Sequence, residues 1–495
     1  MKVLVTGGTG VVGAGTVTAL VRSGHAVRLL SRRAERDAKQ WPEGVEAWPG
    51  DVAAADSIHG SADGCDAVLH LVAVVDESPP DATYENVNVR GTRNIVREAQ
   101  RAGVRRLVFV SSLGCERGSS PYHQSKRAAE AIVRGFEGEW TIVRPGNVYG
   151  PGDEQISLLL KMLRTLPAVP VLHGGDDEFQ PIWHEDLAEA LVRAVERDDL
   201  AGETLEIAGP EATTQNDLLE RLSRITGRDP VRVPLPDLLA KAGMRALGIV
   251  GIEVPFGDSQ IAMLREGNVI ADPRENALTS VLGVSATSLQ RGLELLADSQ
   301  EEQLPHEGVG ALQRKRFWAD IAGSRYDPDA LFDYFRTHLN ELTPGFIDVG
   351  AEPGTPSVVE EGATLTLSLP LRGHVQVRVA EASDCRVTLI TLSGHPLAGA
   401  VRFLFEHHGT ALRFEIQVYD RSANVIDFLA MQTIGGVMQN HAWETVVENV
   451  IRASGGAAPD GIQSERGPLS DEEARSVETW LEGIVTEMKR EEVRN

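Results

Sequence analysis

Three side chains in the stretch SSLGCERGSSPYHQSK have the types and spacing for acid–base chemistry on a carbon–oxygen bond: Ser112, Tyr122 and Lys126. Tyr122 and Lys126 are four residues apart and project from one face of a helix. Ser120 is placed to cap that helix, and Pro121 suits its first position. A phenol with a pKa near 10 is a poor acid or base at neutrality. A nearby ammonium lowers that value by stabilising phenolate, while a serine hydroxyl orients the substrate oxygen. An isolated Tyr-x-x-x-Lys is commonplace on structural helices, so the pair gains meaning from what surrounds it.

What surrounds it is a phosphate cradle. Thr6-Gly7-Gly8-Thr9-Gly10-Val11-Val12-Gly13 follows the strand-like run KVLV and opens a helix. Gly7 permits the tight turn, Gly10 lets backbone amides approach a pyrophosphate, and Gly13 allows close helix–strand packing. The amides of Val11 and Val12 stand at a helix N-terminus, which attracts the anion. The second strand ends in Ser31-Arg32-Arg33, a small hydroxyl and two guanidiniums where a carboxylate would favour NAD. NADP is therefore the expected cofactor, with NAD as the alternative. Asp51-Val52 follows the third strand, where a carboxylate can reach an adenine amino group.

These residues need a scaffold that brings strand ends together. Strand-like runs at 2–6, 26–31, 66–72, 105–111 and 139–144 alternate with helical patterns at 11–23, 86–103 and 121–136. Near-continuous apolar strands separated by helices predict an α/β, doubly wound parallel sheet of the Rossmann kind. Helical patterns at 154–165, 184–197, 214–226 and 286–297 are read as cap elements completing a unit of residues 1–300. Residues 301–327 lose the alternation and are read as a linker.

Beyond 328 the pattern changes to strands. Leu365, Leu367 and Leu369, then Val375, Val377 and Val379, alternate with polar residues, and further runs follow at 385–392, 401–406, 411–419 and 424–430. This predicts an antiparallel sheet with one face buried. A helix at 436–453, offering Val437, Val446, Val450 and Ile451, completes an α+β unit of residues 328–456. One helix rarely covers a wide curved sheet, so either a ligand cavity remains or the first unit fills the gap. Residues 457–468 read as a polar linker. In 469–495 a capping box, Ser470 with Glu473, precedes an amphipathic helix with Val477, Trp480, Leu481, Ile484, Val485 and Met488 on one face. That face fits docking on the same protein, with a partner as the alternative.

Composition limits the function classes. A chain of 495 residues with 42% hydrophobic and 24% charged residues is ordinary globular material of two or three domains. Lys and Arg total 48 against 72 Asp and Glu, a net charge of −24 that disfavours nucleic-acid binding. No apolar run approaches the roughly 18 residues of a membrane span, and MKVLVTGG lacks a secretory signal, so a cytoplasmic location is expected. Cys65, Cys115 and Cys385 have no disulfide or zinc spacing, and His395, His407, His408 and His441 share no ligand pattern. No metal is expected.

The motifs together resemble the short-chain dehydrogenase/reductase superfamily in its extended or atypical, epimerase/dehydratase-like branch. The resemblance covers residues 1–300 and rests on TGGTGVVG at 6–13, Asp51-Val52, NVNVRGT at 86–92, VSS at 110–112 and YHQSK at 122–126. RPGNVYGPGD at 144–153 and FQPIWHEDLAEAL at 179–191 extend it. The family implies Ser112 as the substrate-orienting hydroxyl, Tyr122 as the acid/base and Lys126 as a ligand of the nicotinamide ribose. It also implies Pro145, Asn147 and Val148 beside the nicotinamide, and Leu71, Val72 and Ala73 beside the adenosine. Two features depart from sugar-nucleotide epimerases: Leu113-Gly114-Cys115 is short, and 172–182 lacks a basic grip for a diphosphate. Both look more like atypical relatives, including the nucleotide-binding accessory subunit of respiratory complex I. The run at 391–424 resembles the START/polyketide-cyclase-like (SRPBCC) superfamily, which implies a helix-grip domain with a hydrophobic cavity.

The expected function is an NADP-dependent oxidoreductase acting on a carbonyl or alcohol of a small, hydrophobic substrate, fused to a hydrophobic-ligand domain. A homodimer is compatible with it. The alternatives are a non-catalytic NADP(H)-binding sensor or assembly protein, and a sugar-nucleotide epimerase or dehydratase.

Overall fold

The computed structural model describes residues 1–38, 41–153, 155–235, 268–370, 372–424, 427 and 436–494. The first eleven strands are β1 (Lys2–Thr6), β2 (Ala26–Ser31), β3 (Glu46–Pro49), β4 (Ala67–His70), β5 (Arg106–Val110), β6 (Glu139–Pro145), β7 (Val148–Tyr149), β8 (Ala168–Leu172), β9 (Ile182–Trp183), β10 (Glu203–Ile207) and β11 (Val231–Leu235). Seven of them form one sheet in the order β10-β6-β5-β4-β1-β2-β3, parallel throughout. The strands are apolar on both faces because helices cover both. Val3, Val5, Leu29, Leu69, Val108 and Val143 point to one layer, with Val17, Leu20, Leu187 and Leu191. Leu4, Leu30, Val68, Leu107, Phe109 and Ile142 point to the other, with Ile95, Ala99, Ala129 and Val133. This is the doubly wound arrangement expected.

The strand order reverses at β1, between β2 and β4, where such sheets bind ligands. The pattern at 86–103 is two elements, a π-helical stretch Tyr84–Gly91 running into the α-helix Thr92–Arg101. One helical pattern read as cap belongs to the main layers, and so does a strand between two of them. β10 extends the sheet beside β6, and helix His184–Glu196 places Leu187, Ala190, Leu191 and Ala194 in the first core layer. A smaller lobe remains, in which helices Ile156–Thr165, Gln215–Thr226 and Leu289–Asp298 share a core with Val169 and Val171 of β8. The pattern at 154–165 falls here, except that residue 154 lies outside the described residues.

The second half is an antiparallel sheet of eight strands: β12 (Val309–Ile321), β13 (Asp348–Val349), β14 (Thr364–Leu369), β15 (Gly373–Ser383), β16 (Arg386–Thr391), β17 (Leu397–His408), β18 (Ala411–Ser422) and β19 (Gln463–Pro468). Their order is β13-β14-β15-β16-β17-β18-β12-β19. Two segments read as linkers are strands. β12 pairs with β18 over most of its length. Its alternation is masked by the polar run Gln313-Arg314-Lys315-Arg316, in which Lys315 lies on the buried face, bonded to Asp420 at 2.8 Å. β19 is almost entirely exposed and is held by backbone pairing with β12, so it carries no apolar signal. The run at 424–430 lies largely outside the described residues.

Helix Pro328–Thr337 is an element the alternation did not announce. Asp327 caps it through the Ala330 amide at 2.8 Å, and Pro328 occupies its first turn. Its Phe335 meets the rings of Phe403, Phe405 and Phe414 at 4.8, 5.3 and 5.9 Å. With Val446, Val447 and Val450 of helix Gly436–Ser454, these rings pack on the face carrying Val377 and Ile416. The side chain of Val437 lies outside the described residues. Among the described residues, helices of its own unit pack on that face, which was expected to line a cavity or meet the first unit.

The opposite face receives helix Asp471–Arg494. Val477, Trp480, Leu481, Ile484, Val485 and Met488 all pack with Leu304, Ala380, Ile390 and Ala400. Its N-terminus has the reciprocal bonds of a capping box, Ser470 N to Glu473 Oε2 at 3.0 Å and Glu473 N to Ser470 Oγ at 3.4 Å. The docking that the apolar face suggests is thus met within the chain. The two halves are joined by Arg164, whose Nε and Nη2 donate to Glu352 at 2.8 and 2.7 Å and whose Nη1 donates to Gln376 at 2.8 Å. Among the described residues no helix is long and apolar enough to cross a membrane.

Candidate dinucleotide and catalytic site

The parallel registers place every candidate segment at one edge of the sheet. Thr6 pairs with Leu30 and His70, and Ser31 with Pro49. The glycine loop, Ser31–Arg33, Asp51-Val52, Leu71–Ala73, Ser112 and Pro145–Val148 therefore leave adjacent strands on the same side.

The three glycines of the loop have different neighbours. Gly7 adopts φ +78°, and a Cβ there would lie 2.9 Å from the Val72 nitrogen. Gly13 is closed against the loop itself. Gly10 is open, and among the described residues only the Gly7 oxygen comes within 4 Å of a Cβ, at 3.9 Å. Helix Val11–Arg22 starts without a side-chain cap, so the amides of Val11 and Val12 head a helix with room in front of it for an anion. Thr6 is wholly buried, and its hydroxyl is paired with His70 Nδ1 at 2.6 Å rather than turned to this opening.

On the flank, Arg32 and Arg33 are exposed, and the Arg33 amide donates to Ser31 Oγ at 3.2 Å. The Asp51 carboxylate accepts from the Ala53 amide at 2.9 Å, closing a turn. Val52 is buried in the sheet layer, leaving its carbonyl to accept from Asn94 at 2.8 Å. Leu71, Val72 and Ala73 are half-buried, and the Leu71 amide donates to the Thr6 carbonyl at 3.1 Å.

Helix Pro121–Val133 has Pro121 in its first turn and the Ser120 hydroxyl accepting from the His123 amide. It brings Tyr122 and Lys126 under the end of β5. Tyr122 is 8% exposed and Lys126 2%. Burial pushes the Tyr122 phenol up, with Cys115 and Tyr84 adding to the rise, while the hydrogen-bonded Ser112 hydroxyl pulls it down. The expected lowering by Lys126 is not what acts here. Lys126 Nζ donates to the Val110 carbonyl at 2.7 Å and lies 4.7 Å from the Phe109 ring centre. Burial brings its own pKa down to about 8.

Residues beyond the sequence reading complete the surroundings. Asn88 donates to Ser125 Oγ at 2.9 Å and accepts from the Val74 amide at 2.8 Å, fixing the segment after β4 to the helix that carries Tyr122 and Lys126. Tyr84 donates to the Val75 carbonyl at 2.6 Å and meets Tyr122 edge-on at 6.3 Å. Cys115 donates to Glu130 at 2.9 Å, and Arg144 grips the same carboxylate at 2.8 and 2.9 Å. Burial alone would raise Glu130, but these bonds outweigh it and hold the carboxyl at about 2. Asn88 was within reach of the motif NVNVRGT; the Cys115–Glu130–Arg144 cluster has no local signature.

On the other side, Pro145 ends β6 and its carbonyl accepts from Leu113 at 2.9 Å. Asn147 donates to Gln155 at 3.3 Å, and Val148 opens β7, paired with Ile182. The arrangement offers a hydroxyl, a phenol and an amine beside a helix N-terminus fit for a pyrophosphate.

Comparison with known proteins agrees with this geometry. The model of the NAD dependent epimerase/dehydratase family matches residues 3–208. Ceramide reductase of Caulobacter vibrioides is 30% identical over 236 residues, covering 48% of this chain and 74% of that protein. The chain belongs to the NAD dependent epimerase/dehydratase family. Sterol demethylase protein B of Methylococcus capsulatus, another relative, is 31% identical over 48% of this chain and 79% of its own length. NADH dehydrogenase [ubiquinone] 1 alpha subcomplex subunit 9 of Arabidopsis thaliana is 30% identical over 34% of this chain and 44% of its own. The epimerase/dehydratase match lies wholly in the N-terminal half, which includes the glycine loop and the Ser112–Tyr122–Lys126 group.

Proposed function

We propose that the protein is an NADP(H)-dependent oxidoreductase that interconverts a carbonyl and an alcohol on a hydrophobic substrate. The observation that carries this reading is the convergence of Ser112, Tyr122 and Lys126 on the sheet edge that also bears the open glycine loop. In the reducing direction, Ser112 and Tyr122 would donate to the substrate oxygen, the phenol giving its proton as hydride arrives at carbon. Lys126 would hold the ribose. The cofactor, when bound, supplies the hydride; the exposed guanidiniums of Arg32 and Arg33 suit a 2′-phosphate. Leu113 and Ile270, packed together beside Ala208, suit an apolar substrate better than a diphosphate. The names of ceramide reductase and sterol demethylase protein B point to lipid-like molecules in two relatives.

The helix-grip reading of the second half is kept as part of the proposal. A hydrophobic ligand there would have to displace packed aromatic rings, so its better supported task is to brace the cap through Arg164 and Glu352.

A panel of long-chain aldehydes, long-chain ketones and ketosteroids, followed by NADPH absorbance, tests the main reading. Oxidation of NADPH with at least one of them is expected. Tight NADPH binding without turnover of any would favour the second reading, a non-catalytic sensor or assembly protein. Two observations favour that alternative: Lys126 is engaged with the Val110 carbonyl, and the Tyr122 phenol is raised rather than lowered.

A further inference from the structure

Asn268 lies between Asn147 and Gly114, two residues after Ser112. Its Nδ2 donates to Asn147 Oδ1 at 3.4 Å. Asn147 is turned that way because its own Nδ2 donates to Gln155 Oε1 at 3.3 Å. The Asn268 backbone is held as well, its carbonyl accepting from the Gln180 amide at 2.9 Å. The carboxamide oxygen then faces Gly114 and the His123 ring. A Cβ on Gly114 would lie 2.2 Å from Asn268 Oδ1, 2.7 Å from His123 Cε1 and 2.9 Å from His123 Nε2. The oxygen and that ring edge thus stand over the same point at Gly114, with no hydrogen bond between them. Asn268 is 6% exposed, and its Oδ1 is a buried acceptor with no hydrogen-bond partner among the described residues.

His123 is fully buried, and its Nε2 lies 3.3 Å from Ser112 Oγ. A serine hydroxyl has one proton to give. Were Nε2 bare, Ser112 would give that proton to the ring and have none for a substrate oxygen. With hydrogen on Nε2, the ring donates to Ser112 Oγ, and the serine proton is released. An acceptor oxygen on the same ring edge opposes a lone pair at Nε2 and favours the hydrogen there.

We propose that Asn268 is a positioning residue that holds His123 in its Nε2–H form, leaving the Ser112 hydroxyl to donate to the substrate oxygen beside Tyr122. The substrate part rests on the oxidoreductase reading; the form of the ring does not.

The test uses the full chain with 15N-labelled histidine and no substrate, read by two-bond proton–nitrogen correlation at pH 7.5. His123→Gln identifies the ring among the 13 histidines. The Nε2–H pattern is expected for the parent, retained in Asn268→Asp, which keeps an acceptor oxygen, and shifted toward Nδ1–H in Asn268→Leu. A parent ring carrying hydrogen on Nδ1 alone overturns the proposal, and so does an unchanged pattern in a folded Asn268→Leu. Should Asn268→Leu not fold, the parent and Asn268→Asp spectra decide. With any carbonyl that the panel shows to be reduced, Asn268→Leu is expected to lower kcat at least tenfold with NADPH affinity unchanged. His123→Gln, which keeps an N–H donor, should recover more of kcat than His123→Leu. The expected ring form without any turnover would count against the oxidoreductase reading and leave the Asn268–His123 relation standing.

Discussion

A methyl group on Gly13 would sit 2.1 Å from the carbonyl oxygen of Gly7 and 2.4 Å from Gly8 Cα. The helix therefore reaches the loop at a separation that only hydrogen at Cα allows, which sets Gly13 apart from Gly10. Gly13→Ala should cost at least about 1–3 kcal/mol, because rigid backbone has to move. Gly10→Ala should change stability by no more than about 1 kcal/mol, as expected at a helix N-cap, yet impair dinucleotide binding by filling the space before the helix. Denaturant titration and NADPH fluorescence titration of both variants separate the two effects. Equal losses of stability would refute the distinction.

For Tyr122→Phe, turnover should fall by about 10²–10⁴-fold, the usual worth of a positioned acid or base, with NADPH affinity nearly unchanged. Lys126→Ala should damage both. Since Lys126 loses its proton as pH rises through about 8, NADPH affinity should weaken above that pH, and Lys126→Arg should remove the dependence. Affinity that is flat from pH 7 to 9.5 in the parent would show that the charge is not used.

NADPH should bind more tightly than NADH, and Arg32→Glu should narrow or reverse the difference by roughly ten- to a hundredfold, the worth of a charge-assisted bond. Parallel titrations of both dinucleotides against both proteins measure it. Equal affinities in the parent would remove Arg32 from cofactor choice.

Two buried imidazoles make the fold sensitive to acid. Burial holds His70 down to about 3 and His395 down to about 4, against an ordinary 6.5. Between those values and 6.5 the unfolded rings bind protons that the folded rings refuse. Stability should thus fall as pH drops through this window, by up to about 1.4 kcal/mol per pH unit for each ring. Above about 6.5 neither ring contributes. Urea titrations at pH 7.5, 6 and 5 should show the decline, with a shallower slope in His70→Gln. An identical slope in that variant would mean that other groups govern acid unfolding.

Arg164 and Glu352 are 5% and 4% exposed. Removing one partner of a buried pair leaves an uncompensated charge, so Glu352→Ala should destabilise by about 3–5 kcal/mol. The double change Arg164→Met with Glu352→Leu should cost far less. Calorimetry of the three proteins tests this. A parent-like Glu352→Ala would show that the pair does not hold the halves together.

Legibility followed locality. The glycine loop and the Tyr122–Lys126 pair can be read from a few adjacent residues, because one turn and one helix face determine their geometry. Helix Pro328–Thr337 was also open to reading, since Asp327 and Pro328 form a start signal. Asn268 was not: 121 residues separate it from Asn147, and pairing beside Gln180 brings it in. β12 was hidden for another reason, since Lys315 occupies a buried-face position and draws its support from Asp420 on the neighbouring strand β18, 105 residues later in the chain.

The place of β12 in the sheet bears on how the chain matures. Arg316 of β12 bonds to Glu415 of β18, 99 residues later, and β12 separates β18 from β19. During synthesis β12 must therefore wait, unpaired on both edges, while β13 to β17 are made. Such long-range closure is slow and leaves strand edges open to other chains. The charged side chains of Arg314, Lys315 and Arg316 stand along that waiting strand, where they would discourage association with a neighbour.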